Sequence, residues 1–263
     1  VGVNSAPVLQ DRLPQMPWMD PVGAKLPGIR PLDPEAWIFQ DEAFTGQMRQ
    51  RDALIRTRPA EIHALLPEAA ESARELLSET LILLLKNAAY SVESDRIIRP
   101  DGEAVEIDFT APLLTLGRLV QEDFVLHLPE GREHVMKAAI LCFPASWSLS
   151  EKIGRPLTGI HRPVKEYDEN LALRVQRLFD AIRPGQPLWR SNALLYEDPA
   201  LFQPRREGEV RPKPLSRNYL RSERQALLRL PQTKAVVFSI HTSILHVDRV
   251  PPEALAAFRA LHP

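Results

Sequence analysis

Between Leu119 and Val247 the order of apolar runs leaves few architectures open. The stretch LVQEDFVLHLPEGREHVMKAAILCFP holds two β-like runs around a Pro-Glu-Gly turn. Then come KIGRPLTGIHRPV and an amphipathic segment in which Asp168 can cap a helix through Ile182, with Leu171, Val175, Leu178 and Ile182 on one stripe. After it, WRSNALLYE, NYLRSERQALLRLP and KAVVFSIHTSILHV read as three more strands. Two strands, a crossover containing a helix and three strands predict an antiparallel sheet with helices on one side. This is an α+β arrangement, and it makes a one-sided cup.

The rest of the chain is arranged around that core. Residues 1–34 carry seven prolines and three glycines with little periodicity, and read as an extended arm lying on the body. In PLDPEAWIFQDEAF, Asp33 and Pro34 fit an N-cap and a first helical position. Residues 42–57 look helical and basic. From Arg58 onward the pattern predicts one short and one longer helix, with His63 in the shorter one and Leu77, Leu81, Leu84 and Leu85 on a buried face. PPEALAAFRA predicts a short closing helix. The expected division is an arm at 1–34, a helical subdomain at 35–105 packed on the core, and a core at 106–263 that includes the last helix.

Composition excludes several function classes. The 263 residues include 33 basic and 34 acidic side chains, for a net charge of -1, so no excess of Lys and Arg points to nucleic acid. No run of 18 apolar residues is present, and the N-terminus has no signal-peptide apolar stretch, so the expectation is a cytoplasmic protein without a membrane span. The single cysteine, Cys142, rules out an internal disulfide, a Cys-rich zinc site and a self-contained iron–sulfur cluster. The 25 prolines, about twice ordinary usage, are dispersed and imply many ordered turns. The glycine-rich nucleotide loops, HExxH and GxSxG are absent.

Candidate chemistry centres on histidines and on the polar positions of the late strands. His161 is flanked by Pro156, Gly159 and Pro163, which stiffen the backbone on both sides. It reads either as a structural loop residue or as a metal ligand. No second ligand lies at a characteristic spacing, so a metal there would be haem iron rather than zinc. His127 and His134 flank the PEGR turn, where a hairpin could bring them together; they read as a solvated hairpin pair rather than a shared metal site. In the last strand Val237, Ser239, His241 and Ser243 share one face, and Val236, Phe238, Ile240 and Thr242 the other. The first group lines either a polar pocket or solvent. In YLRSERQALLRLP, Arg221, Glu223 and Gln225 share one face and Arg224 lies on the opposite one, so charge or water must satisfy at least one face. Arg190 and Asn192 share a face of the WRSN strand and offer donors to an anion or a bound oxygen, or form a strand-end salt bridge.

These segments together resemble the haem-dependent oxidative N-demethylase α-subunit family. The resemblance runs through GIRPLDPEAWIFQDEAF, LVQEDFVLHL, AAILCFPASWSLSEKIGRPLTGIHRPV, LWRSNALLYEDPALFQP and YLRSERQALLRLPQTKAVVFSIHT, most of the chain from 28 to 245. Its most specific part is CFPASW…EKIGRPL…IHRPV. The resemblance implies a PAS-like haem-binding core with helices on its N-terminal side. It also implies haem b, and an activity in which a small secondary amine such as dimethylamine is oxidatively demethylated to release formaldehyde. Dioxygen and electrons from an FMN and 2Fe-2S reductase partner are consumed, and neither nucleic acid nor membrane takes part. On this resemblance His161 matches the histidine of the IHxPV pattern and is the expected axial ligand. Arg190 and Asn192 match the family's strand after the crossover, and Arg221, Glu223, Arg224 and Gln225 its charged strand; Glu223 and Arg224, on opposite faces so that one of them faces the haem, are the leading distal-pocket or propionate-side residues. Arg190 and His241 are taken with them as catalytic candidates, and Asn192, Arg221 and Ser239 as cofactor-lining ones. Two departures stand out. Lys165 replaces the second proline of IHxPVP, which loosens a turn. His241 stands where the family carries arginine, which alters the pocket or offers a second haem ligand. The rival expectations are a non-catalytic haem-binding PAS-like sensor and a small-molecule-binding protein without haem.

Overall fold

A computed structural model of the chain describes residues 8–20, 28–162, 168–209 and 216–261. The elements run β1 (Arg30–Pro31), α1 (Phe44–Thr57), α2 (Pro59–Ile62), β2 (His63–Leu65), α3 (Ala70–Leu84), β3 (Ser91–Glu93), β4 (Arg96–Ile98) and β5 (Ala104–Glu106). They continue with α4 (Pro112–Leu119), β6 (Asp123–Glu130), β7 (Glu133–Ile140), α5 (Leu157–His161), α6 (Glu169–Ala181), β8 (Leu188–Tyr196), β9 (Tyr219–Arg229), β10 (Val236–His246) and α7 (Pro252–Leu261). No helix among the described residues is long and apolar enough to cross a membrane.

The fold is α+β, built on a seven-stranded sheet in the order β1-β8-β9-β10-β6-β7-β2 with every neighbour antiparallel. The five long strands are those expected from the sequence. The β6–β7 hairpin closes through Gly131 and Arg132, and Gly131 takes φ +62, which only glycine adopts without strain. The ladder then returns through α5 and α6. Asp168 caps α6 by accepting a hydrogen bond from the Leu171 amide at 2.7 Å. At the other end of α6, Arg229 donates to the carbonyls of Ile182 (2.7 Å) and Phe179, which satisfies acceptors the helix leaves open.

Helices cover both faces of the sheet, where the sequence pattern predicts one. On one face Phe124, Leu126, Ala138, Ile140 and Val237 pack against Leu76 and Leu77 of α3 and Leu113 and Leu116 of α4. On the other, Val125, Met136, Leu227, Val236 and Phe238 meet Leu157 and Ile160 of α5 and Phe179 of α6. The alternation of β10 therefore has two buried faces, and its burial is almost continuous. The sequence pattern pointed to only one cover because α3 and α4 lie far upstream of the strands they protect.

The N-terminal third departs most from expectation. The PLDPEAW stretch is a turn, not a helix start: Asp33 Oδ1 accepts from the Glu35 amide at 2.9 Å. The chain after it runs extended because its amides are taken by side chains of the core, Phe39 N by Glu122 (2.7 Å) and Asp41 N by Gln121 (3.1 Å). The first long helix begins at Phe44. His63 opens β2 rather than lying in α2, and pairs with Ile140 of β7, so residues from the 35–105 segment extend the core sheet. Leu77 and Leu84 are buried as expected, while Leu85 is 64% exposed beyond the end of α3. The small β3-β4-β5 sheet has three-residue strands, too short to show a period in the sequence. The arm is ordered where it is described: Gln10 pairs with Ile244 through both its backbone amide (2.8 Å) and its side-chain oxygen (2.7 Å), and Trp18 Nε1 donates to Ala254 O at 2.7 Å.

Candidate functional site

His161 is the last residue of α5, a five-residue helix held over the sheet from both sides. The turn before it is fastened to β7 by Gly154 N to Met136 O (2.8 Å) and Met136 N to Arg155 O (3.0 Å), with Gly154 at φ +75. Leu157 plugs into the apolar cluster of Phe179, Ile182, Leu227 and Val236, and Ile160 lies against the cluster of Val125, Met136, Leu149 and Phe238. These contacts fix the roll of the helix and hence the direction of the imidazole. His161 Nδ1 lies 2.9 Å from the Leu157 carbonyl, which can only accept, so Nδ1 carries the proton and the lone pair is on Nε2. Burial holds the ring's pKa below the ordinary imidazole value. The Leu157 carbonyl opposes this, and the positive charges of Lys152 and Arg190 reinforce it. A neutral ring with Nδ1–H hydrogen-bonded to a carbonyl is the form that ligates a metal through Nε2. Pro163, Val164 and Lys165 lie outside the described residues.

On the same sheet face, the cross-strand register brings Arg190 opposite Gln225 and Asn192 opposite Glu223. Glu223 Oε2 accepts from Asn192 Nδ2 (3.3 Å) and Gln225 Nε2 (2.9 Å), and Asn192 Oδ1 accepts from the Glu223 amide (3.2 Å). Glu223 Oε1 has Arg221 Nε at 4.0 Å. Arg190 Nε is buried with no hydrogen-bond partner in the structure, and burial lowers the guanidinium pKa against the raising effect of Glu223. The arrangement is a fixed carboxylate beside an under-paired cation, facing the helix that ends in His161. Arg221 also belongs to this face, but its Nη atoms hold the carbonyls of Leu201 (3.0 Å) and Phe143 (2.6 Å), a structural duty.

The three remaining sequence candidates, Arg224, Ser239 and His241, stand on the opposite face of the sheet. Arg224 donates to Ala36 O at 2.5 Å and lies over the Phe39 and Trp189 rings. Ser239 is buried, and its Oγ has no hydrogen-bond partner in the structure. His241 is clamped between Asp41 Oδ2 (3.0 Å from Nε2) and Glu122 Oε1 (3.2 Å from Nδ1), with Phe39 edge-on at 5.0 Å. Burial alone would lower its pKa, but the hydrogen bonds and charges of the two carboxylates push it up to about 9. As an imidazolium with both nitrogens engaged, it has no lone pair for a metal. The sequence candidates thus divide into two groups that cannot line one cavity. His161, Arg190, Asn192, Arg221 and Glu223 share a face; Arg224, Ser239 and His241 share the other, where Arg224 and His241 fasten the N-terminal segment.

His127 and His134, expected as a solvated hairpin pair, are both buried. His127 is buried on the His161 side, not solvated, with Nδ1 unpartnered in the structure and its pKa pushed down to about 3 by burial first and then by the charges of His134 and His161. His134 is also buried, bonded to Gln176 at 2.9 Å, and both rings meet Phe179 edge-on at 5.4 Å. The alternation of β6 puts His127 on the same face as Val125, but the helix that buries that face comes from residues more than forty positions later. Thr242, opposite Glu223 on β10, buries a hydroxyl with no partner in the structure. Among the described residues no group of three or more His, Cys, Asp or Glu gathers as a metal-ion site. Two cavities of about 380 and 320 Å³ lie elsewhere, one beside Leu178 and Leu188 and one beside Arg30 and Trp189.

A family model described as haem-dependent oxidative N-demethylase, alpha subunit-like, matches residues 28–262. That span contains the sheet, both helical covers and every residue of the His161 face described above, and the chain belongs to this haem-dependent oxidative N-demethylase, alpha subunit-like family.

Proposed function

We propose that the chain is the haem-binding subunit of an oxidative N-demethylase acting on a small secondary amine. The observation that carries this reading is His161, a neutral imidazole whose Nδ1 bonds the Leu157 carbonyl at 2.9 Å on a helix fastened over a sheet. Haem iron takes one or two protein ligands, so a single well-oriented imidazole fits it, as do the apolar side chains of Ile160 and Phe238 beside it. The hairpin, helical crossover and three-strand meander support a PAS-like core. Arg190, with Nε unpartnered, suits a carboxylate of the porphyrin.

The overall balance for dimethylamine is dimethylamine, dioxygen, two electrons and two protons giving methylamine, formaldehyde and water. When bound, haem b would supply the iron chemistry that activates dioxygen, with electrons from a separate FMN and 2Fe-2S reductase. The chain's own side chains bind and orient. His161 Nε2 would hold the iron, and the Leu157 carbonyl fixes the plane of its ring. Glu223, its Oε2 fixed by Asn192 and Gln225, presents a carboxylate that attracts the protonated amine, and Oε1 accepts an N–H of the ammonium. Thr242 and Arg190 flank that carboxylate with hydrogen-bond donors.

The test is purification after haem supplementation, followed by an absorption spectrum and an assay for formaldehyde from dimethylamine with reductant. Expected are a stoichiometric Soret band and amine-dependent oxygen uptake, with Glu223→Gln raising KM for the amine more than it lowers kcat. A protein that takes up no haem overturns the reading. A Soret band with no amine-dependent uptake reduces the protein to a haem-binding sensor.

A further inference from the structure

Lys152 is a lysine with a 6% exposed side chain, and its ammonium has two partners. It donates to the carbonyl of Ile160, the residue before His161, at 2.8 Å, and to Glu207 Oε1 at 2.6 Å. Glu207 comes from the loop between β8 and β9, also receives Arg155 Nη1 at 3.1 Å, and has its own amide held by Glu151. A buried lysine is normally avoided unless it is paired. Here the pair joins three segments: the turn before α5, the last turn of α5 and the β8–β9 loop. The last carbonyls of a helix lack intrahelical donors, and a cation there is favourable. Lys152 thus fixes the end of the helix that carries His161 and places a positive charge one residue from the imidazole.

We propose that the Lys152–Glu207 ion pair is a positioning device for His161 that also sets the reduction potential of an iron bound there. The inference rests on the haem reading and adds a sign to it. Oxidation of the iron adds positive charge to the site. A neighbouring ammonium disfavours the oxidised form, and a neighbouring carboxylate favours it. In the intact pair the two effects oppose each other. Removing Glu207 leaves the Lys152 ammonium buried without its counter-ion, whereas removing Lys152 leaves Glu207, which is more exposed, paired with Arg155.

The test compares Lys152→Met, Lys152→Arg and Glu207→Gln in the haem-loaded full chain by redox titration, with haem transfer to an acceptor globin as a second readout and thermal melting as a control for folding. Lys152→Met is expected to lower the potential and to release haem roughly tenfold faster, because the Ile160 carbonyl loses its charged donor. Glu207→Gln is expected to raise the potential, and Lys152→Arg to keep it near that of the parent. A merely structural pair would give shifts of one sign, following stability. Shifts of the same sign, or no shift, overturn the proposal. Should Lys152→Met not fold, Glu207→Gln carries the sign test alone, and an unchanged or lowered potential sinks it. If the parent chain takes up no haem, or His161→Ala keeps histidine-ligated haem, the haem reading itself fails, an outcome separate from an unshifted potential.

Discussion

His161 and His241 stand on opposite faces of one sheet, and their surroundings drive them to opposite protonation states. Apolar contacts and nearby cations keep His161 neutral, while Asp41 and Glu122 keep His241 charged. Position in the sequence does not separate the two roles, but the partners do. His161→Ala is expected to abolish stoichiometric haem binding. His241→Gln is expected to leave the Soret band unchanged and to destabilise the fold, by about 3 kcal/mol if it behaves like other broken buried pairs. Absorption spectra and urea unfolding of the two variants check this, and a changed haem coordination in His241→Gln would contradict the placement.

The two buried histidines also predict a stability maximum in pH. The pKa of His241 is raised from 6.5 to about 9, so the folded state holds a proton the unfolded chain releases. Its contribution is complete below about 6.5 and is lost as pH rises through about 9. His127 is the reverse case, with its pKa lowered from 6.5 to about 3. The unfolded chain binds a proton there that the folded state refuses, so stability falls as pH drops from 6.5 toward 3. Asp41, with a pKa lowered by His241 despite its burial, loses its contribution over the acid range below 3.8. Denaturant unfolding from pH 4 to pH 10 should give a dome. His241→Gln should flatten its alkaline limb and also remove the Asp41 contribution at the acid end, and His127→Leu should reduce the acid slope.

Much of the core was legible because long strands and one amphipathic helix carry strong periodic signals: Asp168 capping α6 and the alternating faces of β10 could be read from residues alone. The face assignment of the site was half legible. Arg190, Asn192, Glu223 and Gln225 fall together by parity and register, yet nothing local shows which face meets α5 and which meets the N-terminal segment. The answer depends on pairs far apart in the chain, Asp41 with His241 and Glu122 with the Phe39 amide. The same holds for Lys152, whose partner Glu207 lies in a loop without a periodic pattern.

Gly117 lets α4 pack tightly against Ile140 of β7. A Cβ built there would sit 2.8 Å from Ile140 Cγ1 and 3.1 Å from Ile55 Cδ1, below the separation that packed carbon atoms tolerate. Gly117→Ala should therefore destabilise the fold by about 1–3 kcal/mol, against the usual helical preference for alanine. Ile140→Ala opens a cavity and costs about 2–5 kcal/mol by itself, but in that background Gly117→Ala should cost less than in the parent. A double-mutant cycle by chemical denaturation reads the coupling, and an additive result would show that the helix moves away freely.

Arg51 and Asp123 join α1 to the start of β6 with no exposure to speak of. Arg51 Nη1 donates to Asp123 Oδ1 at 2.7 Å, and the rest of the guanidinium holds the carbonyls of Gly117 (2.9 Å), Gln121 (3.1 Å) and Glu122 (2.7 Å). Asp123 in turn accepts from the amides of Cys142 and Phe143 at 2.7 and 2.8 Å, which fixes the exit of β7 toward the segment that carries His161. Every guanidinium nitrogen and both carboxylate oxygens in this group have a partner, so removing one side leaves a charge buried in a dry site. Arg51→Met is expected to cost about 3–5 kcal/mol, and Asp123→Asn somewhat less because the amide keeps one acceptor for the two backbone groups. The pair Arg51→Met with Asp123→Leu should recover much of the Arg51→Met loss, since no lone charge remains. Urea midpoints of the three variants decide it. A double variant no better than Arg51→Met would mean that the backbone amides of Cys142 and Phe143, rather than the unpaired charge, set the penalty.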